Sequence, residues 1–160
     1  MNKEKIIIIG CGEHAQMVID NVEEQDMYEI FGLTTNNEEE LQMKIYGYSV
    51  VCKDDGIEEL LYENADIKGY ILGVGSMVLR YKLYTWLDTL LTAVNIIHPA
   101  STVSRHAQIG RGNLVEAYTK IANSAQLGNH CIINSFSAVN HDQVIGDNVL
   151  IAGNVSMAGT

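Results

Sequence analysis

The sequence is short of proline, of basic residues and of long apolar stretches. One proline stands among 160 residues, of which 47% are hydrophobic, a composition typical of a folded globular chain. Asp and Glu number 20 against 10 Lys and Arg, a formal charge of −10, which disfavours nucleic acid or an anionic membrane as a partner. No apolar run approaches the roughly 20 residues that cross a bilayer, and Ile6–Ile9 is too short for a signal-peptide core. We therefore expect a soluble protein of the cytoplasm.

Cysteines are also few, and their spacing excludes two common uses. Cys11, Cys52 and Cys131 are an odd number at unrelated spacings with no C-x-x-C pair, so neither a disulfide framework nor a zinc knuckle is indicated. The histidines show none of the short spacings typical of a zinc site. We predict thiols that form no disulfide, and no metal.

The two parts of the chain differ in charge and in hydrophobic pattern. Residues 1–100 carry 17 acidic and 7 basic residues, whereas residues 101–160 carry three of each. Pro99 lies where the pattern changes. We therefore predict a boundary near His98, with a first domain over residues 1–98 and a second over residues 99–160.

The first domain alternates short apolar runs with longer segments that have apolar residues at helical spacing. The runs are nearly all apolar, as strands of a sheet buried on both faces are, and their order indicates βαβ units. An α/β fold with a mostly parallel sheet is predicted. The predicted strands are Lys5–Ile9, Glu29–Leu33, Gly69–Val74 and Ala93–Ile97, and the predicted helices are His14–Glu24 and Met77–Leu91.

The second domain follows a period of six residues. Every sixth residue from Val103 is aliphatic, a period that fits a coil with three flat sides rather than a helix or an alternating strand. An aliphatic-glycine pair recurs every 18 residues, so one coil takes 18 residues. Small or modest side chains four residues after the aliphatic ones, Cys131 among them, suit a narrow interior. The aliphatic residues are Val103, Ile109, Val115, Ile121, Leu127, Ile133, Val139, Ile145, Ile151 and Met157, and the pairs are Ile109-Gly110, Leu127-Gly128 and Ile145-Gly146.

A glycine-containing loop follows the first predicted strand. The motif Gly10-Cys11-Gly12 precedes a helix, where glycines let backbone N–H groups approach phosphate oxygens. Ala15 replaces the third glycine of a dinucleotide fingerprint, and Thr34 and Thr35 stand where an acidic ribose ligand is expected, so a dehydrogenase-like NAD site is disfavoured. The alternative to a phosphate site is a tight βα turn with His14 on the surface.

Three motifs in combination resemble a known family. They are Gly10-Cys11-Gly12-Glu13-His14-Ala15, His98-Pro99 and Asn140-His141-Asp142-Gln143-Val144-Ile145-Gly146-Asp147. Over essentially its whole length the chain is similar to the sialic acid O-acetyltransferase family of hexapeptide-repeat sugar acyltransferases, which includes enzymes that N-acetylate UDP-linked 4-amino sugars. The resemblance implies a Rossmann-like nucleotide-sugar-binding domain followed by a left-handed parallel β-helix.

The resemblance also implies a function. The implied activity is transfer of an acetyl group from acetyl-CoA to a nucleotide-activated amino sugar or a sialic acid, in a homotrimer. The glycine loop would hold the nucleotide sugar. The predicted substrate-binding residues are Gly10, Cys11, Gly12, His14 and Gly75.

His141 is the candidate general base. It follows the axis-facing Val139 by two positions, which places it near a corner of the coil with the imidazole outside the core, and histidine suits proton transfer near neutral pH. Asp142 would orient the ring. Because neighbours on an extended strand point to opposite faces, this contact requires a turn between the two residues. No residue is assigned to acetyl-CoA.

The sequence departs from the family pattern near its end. Family members continue for several coils beyond the position of Thr160, and their acetyl-CoA site lies mainly on later coils. Residues 121–160 contain no Lys or Arg, and Leu150 stands where the family often has a second histidine. We therefore expect an incomplete β-helix, either truncated or covered by another chain, with impaired acetyl transfer. The alternative function is a non-catalytic nucleotide-sugar-binding or assembly module.

The other histidines and the acidic clusters are predicted to be structural. His98 is expected at the hinge, and His106 and His130 at outward positions of the repeat. The acidic residues are interpreted as solvated charges, with Asp54 or Asp55 as a helix N-cap. They are Glu38, Glu39, Glu40, Asp54, Asp55, Glu58 and Glu59.

Overall fold

A computed structural model describes residues 3–159 of the chain, which divides into two compact units, residues 1–94 and 95–160. Met1, Asn2 and Thr160 lie outside the described residues. The expectation that the β-helix is incomplete where the sequence reaches Thr160 therefore stays a prediction. None of the helices within residues 3–159 has the length and apolarity needed to span a bilayer.

The first unit is an α/β fold around a six-stranded sheet. The strand order is β3-β4-β2-β1-β5-β6, and all neighbours are parallel except β3 and β4. The predicted parallel sheet is therefore confirmed. The elements are β1 (Glu4–Ile9), α1 (Glu13–Gln25), β2 (Tyr28–Thr35), a 3-10 turn (Glu38–Glu40), β3 (Lys44–Ile45), β4 (Tyr48–Lys53), a second 3-10 turn (Asp54–Gly56), α2 (Ile57–Glu63), β5 (Ile67–Leu72), α3 (Met77–Leu87) and β6 (Thr92–Ala93).

The core of this unit is built on the central strand β1. Its four isoleucines, Ile6–Ile9, are at most 1% exposed, because β1 lies between β2 and β5 and is covered on both faces. Helix α1 buries Ala15, Val18, Ile19 and Val22, which follow helical spacing. Ser76 caps α3 by accepting a hydrogen bond from the Leu79 amide at 3.4 Å. Because β1 is parallel to both β2 and β5, the carboxyl ends of these three strands meet at one edge of the sheet.

The second unit is a parallel β-helix with two-residue strands. Every strand from β8 onward ends on an aliphatic residue of the predicted period-six series, and residues 18 apart pair, as Val115 does with Ile133. Three parallel sheets result, β7-β10-β13-β16, β8-β11-β14-β17 and β9-β12-β15. The strands are β7 (Ile96–Ile97), β8 (Thr102–Val103), β9 (Gln108–Ile109), β10 (Leu114–Val115), β11 (Lys120–Ile121), β12 (Gln126–Leu127), β13 (Ile132–Ile133), β14 (Ala138–Val139), β15 (Val144–Ile145), β16 (Leu150–Ile151) and β17 (Ser156–Met157).

The β-helix begins earlier than the sequence indicated. The predicted strand Ala93–Ile97 is two strands: β6 joins the α/β sheet, and β7 pairs with β10 of the β-helix. Ile97 extends the aliphatic series by one step, since it lies six residues before Val103 and packs in the same core. The two units accordingly divide after Val94, four residues before the boundary predicted near His98.

The corners of the coil repeat as regularly as the strands. From residue 112 every sixth residue has a positive φ, between 54° and 70°, which turns the chain from one flat side to the next. Only one of these eight residues is glycine. The packing of the coils therefore holds the other seven in a left-handed backbone conformation that residues with a side chain rarely adopt. The corner residues are Gly112, Tyr118, Ser124, His130, Phe136, Asp142, Asn148 and Asn154.

Buried polar side chains join successive coils. Asn113 is 0% exposed, accepts a hydrogen bond from the Cys131 amide at 2.8 Å and donates to the Gly128 carbonyl at 3.0 Å. Cys131 occupies the same place one coil later and donates from its thiol to the Gly146 carbonyl at 3.1 Å. The expectation that Cys131 is an interior packing residue is therefore confirmed. These contacts satisfy backbone groups that the narrow interior shields from water.

Replacement of Asn113 by alanine is expected to destabilise the β-helix. The change leaves the Cys131 amide and the Gly128 carbonyl without these partners, at a cost of about 1–3 kcal/mol for each buried group. Urea unfolding measures the loss. Asn123→Ala is the matched control, because Asn123 is exposed and its loss should stay within about 0.5 kcal/mol. Equal stability of the two variants would contradict the interior role of Asn113.

Candidate functional site

A cavity of about 280 Å³ opens at the carboxyl edge of the sheet in the first unit. The five predicted substrate-binding residues all line it, although they come from the loop after β1, the start of α1 and the loop after β5. This is the crevice at which open parallel sheets commonly bind ligands. The lining residues include Gly10, Cys11, Gly12, Glu13, His14, Thr35, Asn36, Glu40, Asp54, Gly73, Val74, Gly75 and Leu79.

The glycine loop brings backbone close to this cavity. Gly10 has a φ of +103°, and a Cβ there would lie 2.8 Å from Val74 Cγ2 and 3.1 Å from the Gly73 carbonyl oxygen, so a side chain does not fit. Gly12 is the N-cap of α1 and provides no side-chain cap for the first turn. The Ala15 amide donates to the Gly12 carbonyl at 3.0 Å, so the earlier amides of this 13-residue helix are the ones that can face an anionic ligand such as a phosphate.

His14 lies in the first turn of α1 and lines the same cavity. Burial, and to a lesser extent the positive charge of Arg80, lower its pKa from 6.5 to about 4, so the imidazole is neutral near pH 7. Arg80 is itself fully buried and donates to the carbonyls of Leu72 at 3.2 Å and Val74 at 2.9 Å. A fixed positive charge thus lies behind the neutral His14 ring. His14 is half-buried and its Nε2 is shielded from solvent, which does not favour the surface alternative.

The cavity is also lined by two carboxylates, Glu40 and Asp54, which were not predicted to belong to a site. Glu40 accepts hydrogen bonds from the Thr35 hydroxyl and, at 3.1 Å, from the Cys11 thiol, which hold the pKa of Glu40 below its ordinary value. Asp54 accepts from the Thr34 hydroxyl, while burial raises the pKa of this carboxyl. The prediction of solvated charges is therefore wrong for Glu40 and Asp54, which are half-buried and hydrogen-bonded, whereas the other five acids of the two clusters are exposed.

These contacts give the two threonines at the end of β2 a clear role. Thr34 also accepts a hydrogen bond from the Gly10 amide at 3.1 Å and thereby fixes the glycine loop. Asp54 belongs to a 3-10 turn, and the N-cap of α2 is Gly56, so the predicted N-cap role of Asp54 or Asp55 is also wrong. The cavity therefore combines an open helix start with carboxylate oxygens that can accept hydrogen bonds from hydroxyl or amino groups.

A second candidate centre lies at a corner of the β-helix. His141 follows β14, its side chain is 52% exposed, and its Nδ1 lies 2.7 Å from Oδ2 of Asp142, which is 54% exposed. Asp142 has a φ of +64°, because residue 142 belongs to the corner series. The turn that this contact requires is therefore a product of the repeat. The contact leaves Nε2 of His141 as the ring nitrogen available for proton transfer.

The other three histidines, His98, His106 and His130, are not among the residues that form these two centres. The Nδ1 of His98 accepts a hydrogen bond from the Ala100 amide at 3.0 Å and fixes the turn around Pro99. His106 is exposed, as predicted. His130, predicted at an outward position of the repeat, occupies a corner of the coil and is only 1% exposed. No group of three or more His, Cys, Asp or Glu side chains in residues 3–159 is arranged to hold a metal ion, and the absence of a metal stays a prediction.

Comparison with known proteins assigns the class of this architecture. An α/β domain followed by a left-handed β-helix of short parallel strands is the fold of structurally characterised sugar acetyltransferases. Residues 5–87 match the family described as the PglD N-terminal domain, and the chain belongs to that family. A search of curated protein sequences finds no match.

Three solved structures illustrate the likeness. A histidine-to-alanine mutant of GDP-perosamine N-acetyltransferase from Caulobacter crescentus, in complex with CoA and GDP-perosamine, is 27% identical, with a TM-score of 0.81 over 95% of this chain and 73% of that one. The acetyltransferase domain of PglB from Neisseria gonorrhoeae, bound to acetyl coenzyme A, is 24% identical, with a TM-score of 0.87 over 99% and 75% of the two chains. WeeI from Acinetobacter baumannii is 21% identical, with a TM-score of 0.77 over 91% and 68%. The last two show the shared fold.

Acidification is expected to destabilise the wild-type protein more than a His14→Gln variant. Because the native pKa of His14 lies near 4 and the ordinary value is 6.5, the unfolded chain takes up this proton first, and stability falls as the pH drops through that window. Between pH 7 and pH 5 the wild type should lose about 1–2 kcal/mol more than the variant in urea unfolding. Between pH 7 and pH 9 the two proteins should change alike. Equal losses on acidification would show that His14 is not desolvated.

Proposed function

We propose that this protein transfers an acetyl group from acetyl-CoA to an amino group of a nucleotide-linked sugar. The observation that carries the proposal is the pair at the β-helix corner, in which Nδ1 of the exposed His141 is held 2.7 Å from Asp142. The 27% identity to GDP-perosamine N-acetyltransferase, which was crystallised with CoA and GDP-perosamine after replacement of a histidine, supports the same chemistry here.

The proposed reaction is direct acetyl transfer with His141 as general base. The amine nitrogen of the sugar attacks the thioester carbonyl, a C–N bond forms, and the C–S bond to CoA breaks. Nε2 of His141 accepts the proton that the amine loses and returns it to the departing thiolate of CoA. The carboxylate of Asp142 orients the ring through Nδ1 and stabilises the imidazolium that forms in between.

The cavity of the first unit is proposed to hold the nucleotide sugar. The open start of α1 suits the diphosphate, and the free oxygens of the carboxylates suit hydroxyl or amino groups of the ligand. His14 stays neutral and therefore adds no charge of its own, while the Arg80 charge behind it favours an anion. Cys11 acts as a hydrogen-bond donor, since burial and the contact with Glu40 raise the pKa of its thiol.

The acceptor and the nucleotide are the finer parts of the proposal. An N-acetyltransferase is favoured over a sialic acid O-acetyltransferase, because a similar structure at 27% identity is a perosamine N-acetyltransferase. Assays with GDP-perosamine, a UDP-linked 4-amino sugar and free sialic acid as acceptors distinguish the three cases. The homotrimer and the cytoplasmic location stay predictions.

A non-catalytic nucleotide-sugar-binding module is the competing function. It is favoured by one observation, the absence of Lys and Arg from residues 121–160, where phosphate groups of CoA would be expected to find partners. Both functions predict binding of a nucleotide sugar. Only acetyl transfer predicts release of CoA, which a thiol reagent detects, and saturable binding of acetyl-CoA in calorimetry.

Replacement of His141 by alanine is expected to remove most of the acetyl transfer. Loss of a general base lowers kcat by about 100- to 10,000-fold, with little change in KM for either substrate. CoA release with GDP-perosamine as the first acceptor tested provides the measurement. His106→Ala is the matched control, because His106 is an exposed histidine of the same β-helix. Full activity of the His141→Ala variant would exclude His141 as the base.

Replacement of Asp142 by asparagine separates the charge of this residue from its role at the corner. Asparagine tolerates the positive φ at position 142, so the fold and the unfolding midpoint should stay unchanged. An amide cannot stabilise an imidazolium as a carboxylate does, and kcat should fall by about 10-fold or more. Unchanged kcat would mean that the contact at Nδ1 does not contribute to catalysis.

A further inference from the structure

The imidazole of His141 lies against the backbone of Gly159, one 18-residue coil later in the chain. A Cβ at residue 159 would lie 2.5 Å from Cε1 and 2.7 Å from Cδ2 of the ring, and nearest of all to Nε2. Carbon atoms do not approach a ring so closely without a shift of one group. The ring therefore occupies the space that a side chain at position 159 would need.

Hydrogen bonds hold the backbone of the later coil just before this contact. Asn140 donates from Nδ2 to the Met157 carbonyl at 2.6 Å, and Gln143 donates from Nε2 to the Ala158 carbonyl at 2.5 Å. Val139 also pairs with Met157 in the parallel sheet. The two residues that flank the His141-Asp142 pair thus hold the segment that precedes Gly159, and this segment cannot withdraw without breaking these hydrogen bonds.

The ring has a contact of its own. Its Nδ1 is 2.7 Å from Asp142, and we expect a shift that clears a Cβ at position 159 to disturb this contact. We propose that Gly159 is a positioning residue for His141: its lack of a side chain provides the space in which the ring meets Asp142 and keeps Nε2 open to a substrate. The consequence for catalysis rests on the proposed function of His141.

A Cβ at Gly110 or Gly128 would also lie closer than 3.0 Å to other atoms, but these belong to the neighbouring coil's backbone and to polar side chains, not to an imidazole. Two further glycines of the β-helix leave more room. A Cβ at Gly146 would meet no atom within 4 Å, and one at Gly153 would lie 3.3 Å from the Ser135 carbonyl oxygen. Gly146 lies close to His141 in the sequence and on the same coil. Gly146→Ala is therefore a matched control for Gly159→Ala, with the same added methyl group and no ring to displace.

The test combines each alanine variant with wild-type His141 and with His141→Ala. Gly159→Ala alone should lower kcat on the order of 10- to 100-fold, as misplacement of a reacting group by about 1 Å does, with KM changed less than about twofold. It should also shift the NMR signals of the His141 ring and lower the unfolding midpoint. Gly146→Ala should leave all of these close to wild type.

In the His141→Ala background the added methyl enters the space that the ring has left. Gly159→Ala should then cause no further loss of stability, which gives a large coupling between the two positions. An equal loss of stability in both backgrounds, or unchanged ring signals in Gly159→Ala, would overturn the positioning role. Ring displacement and coupling in a protein that never releases CoA would support that role and contradict the proposed acetyl transfer, because NMR and stability do not depend on turnover.

Discussion

The stacking of one aliphatic side chain on another along the axis of the β-helix is the contact on which the candidate catalytic centre depends. Residues 18 apart pair in register, as Ile121 does with Val139, and this register sets where each corner of the coil falls. Asp142 turns back toward His141 because it occupies such a corner, with a φ of +64°. Burial of the aliphatic spine stabilises the coil and so holds a corner conformation that costs about 1 kcal/mol or more for a residue other than glycine. Substitutions inside the coil should therefore affect the geometry of His141 as well as stability.

The first unit illustrates how a cavity with an acidic lining can still suit an anionic ligand. Glu40 and Asp54 each give one oxygen to a threonine hydroxyl of β2, so part of their hydrogen-bonding capacity is used within the protein. The favourable potential for phosphate comes from the open start of α1 and from the buried Arg80 charge, which lies behind a neutral His14. Backbone amides discriminate little between nucleotides, whereas the remaining carboxylate oxygens can select ligands with hydroxyl or amino donors.

The sequence predicted the β-helix more fully than the α/β unit, for physical reasons. A period of six leaves no other register, and the aliphatic positions specify the strands directly. The period does not show where the series begins, and its first member, Ile97, lies before the only proline, Pro99, at which the change of pattern predicts a boundary. The strand Tyr48–Lys53 and the helix Ile57–Glu63 were not predicted, since both are short and lack a clear period. The repeat predicts whether a side chain points toward or away from the axis, but it does not predict which neighbouring residues cover that side chain. The burial of His130 therefore could not be predicted from the repeat.

The candidate site residues also divide into those that the sequence predicted and those that it did not. The cavity residues from the loops after β1 and β5 are those that the family resemblance implies, and they meet in the structure because parallel strands end at one edge of a sheet. The contributions of Glu40 and Asp54 depend on two irregular turns, whose course no periodic signal describes. The most direct test of the central claim is a crystal structure of the protein with CoA and GDP-perosamine. The account predicts the amine nitrogen of the sugar within about 2.6–3.2 Å of Nε2 of His141, or linked to it by one water molecule. A bound sugar whose amine faces a different titratable side chain, with His141 remote from both ligands, would contradict it.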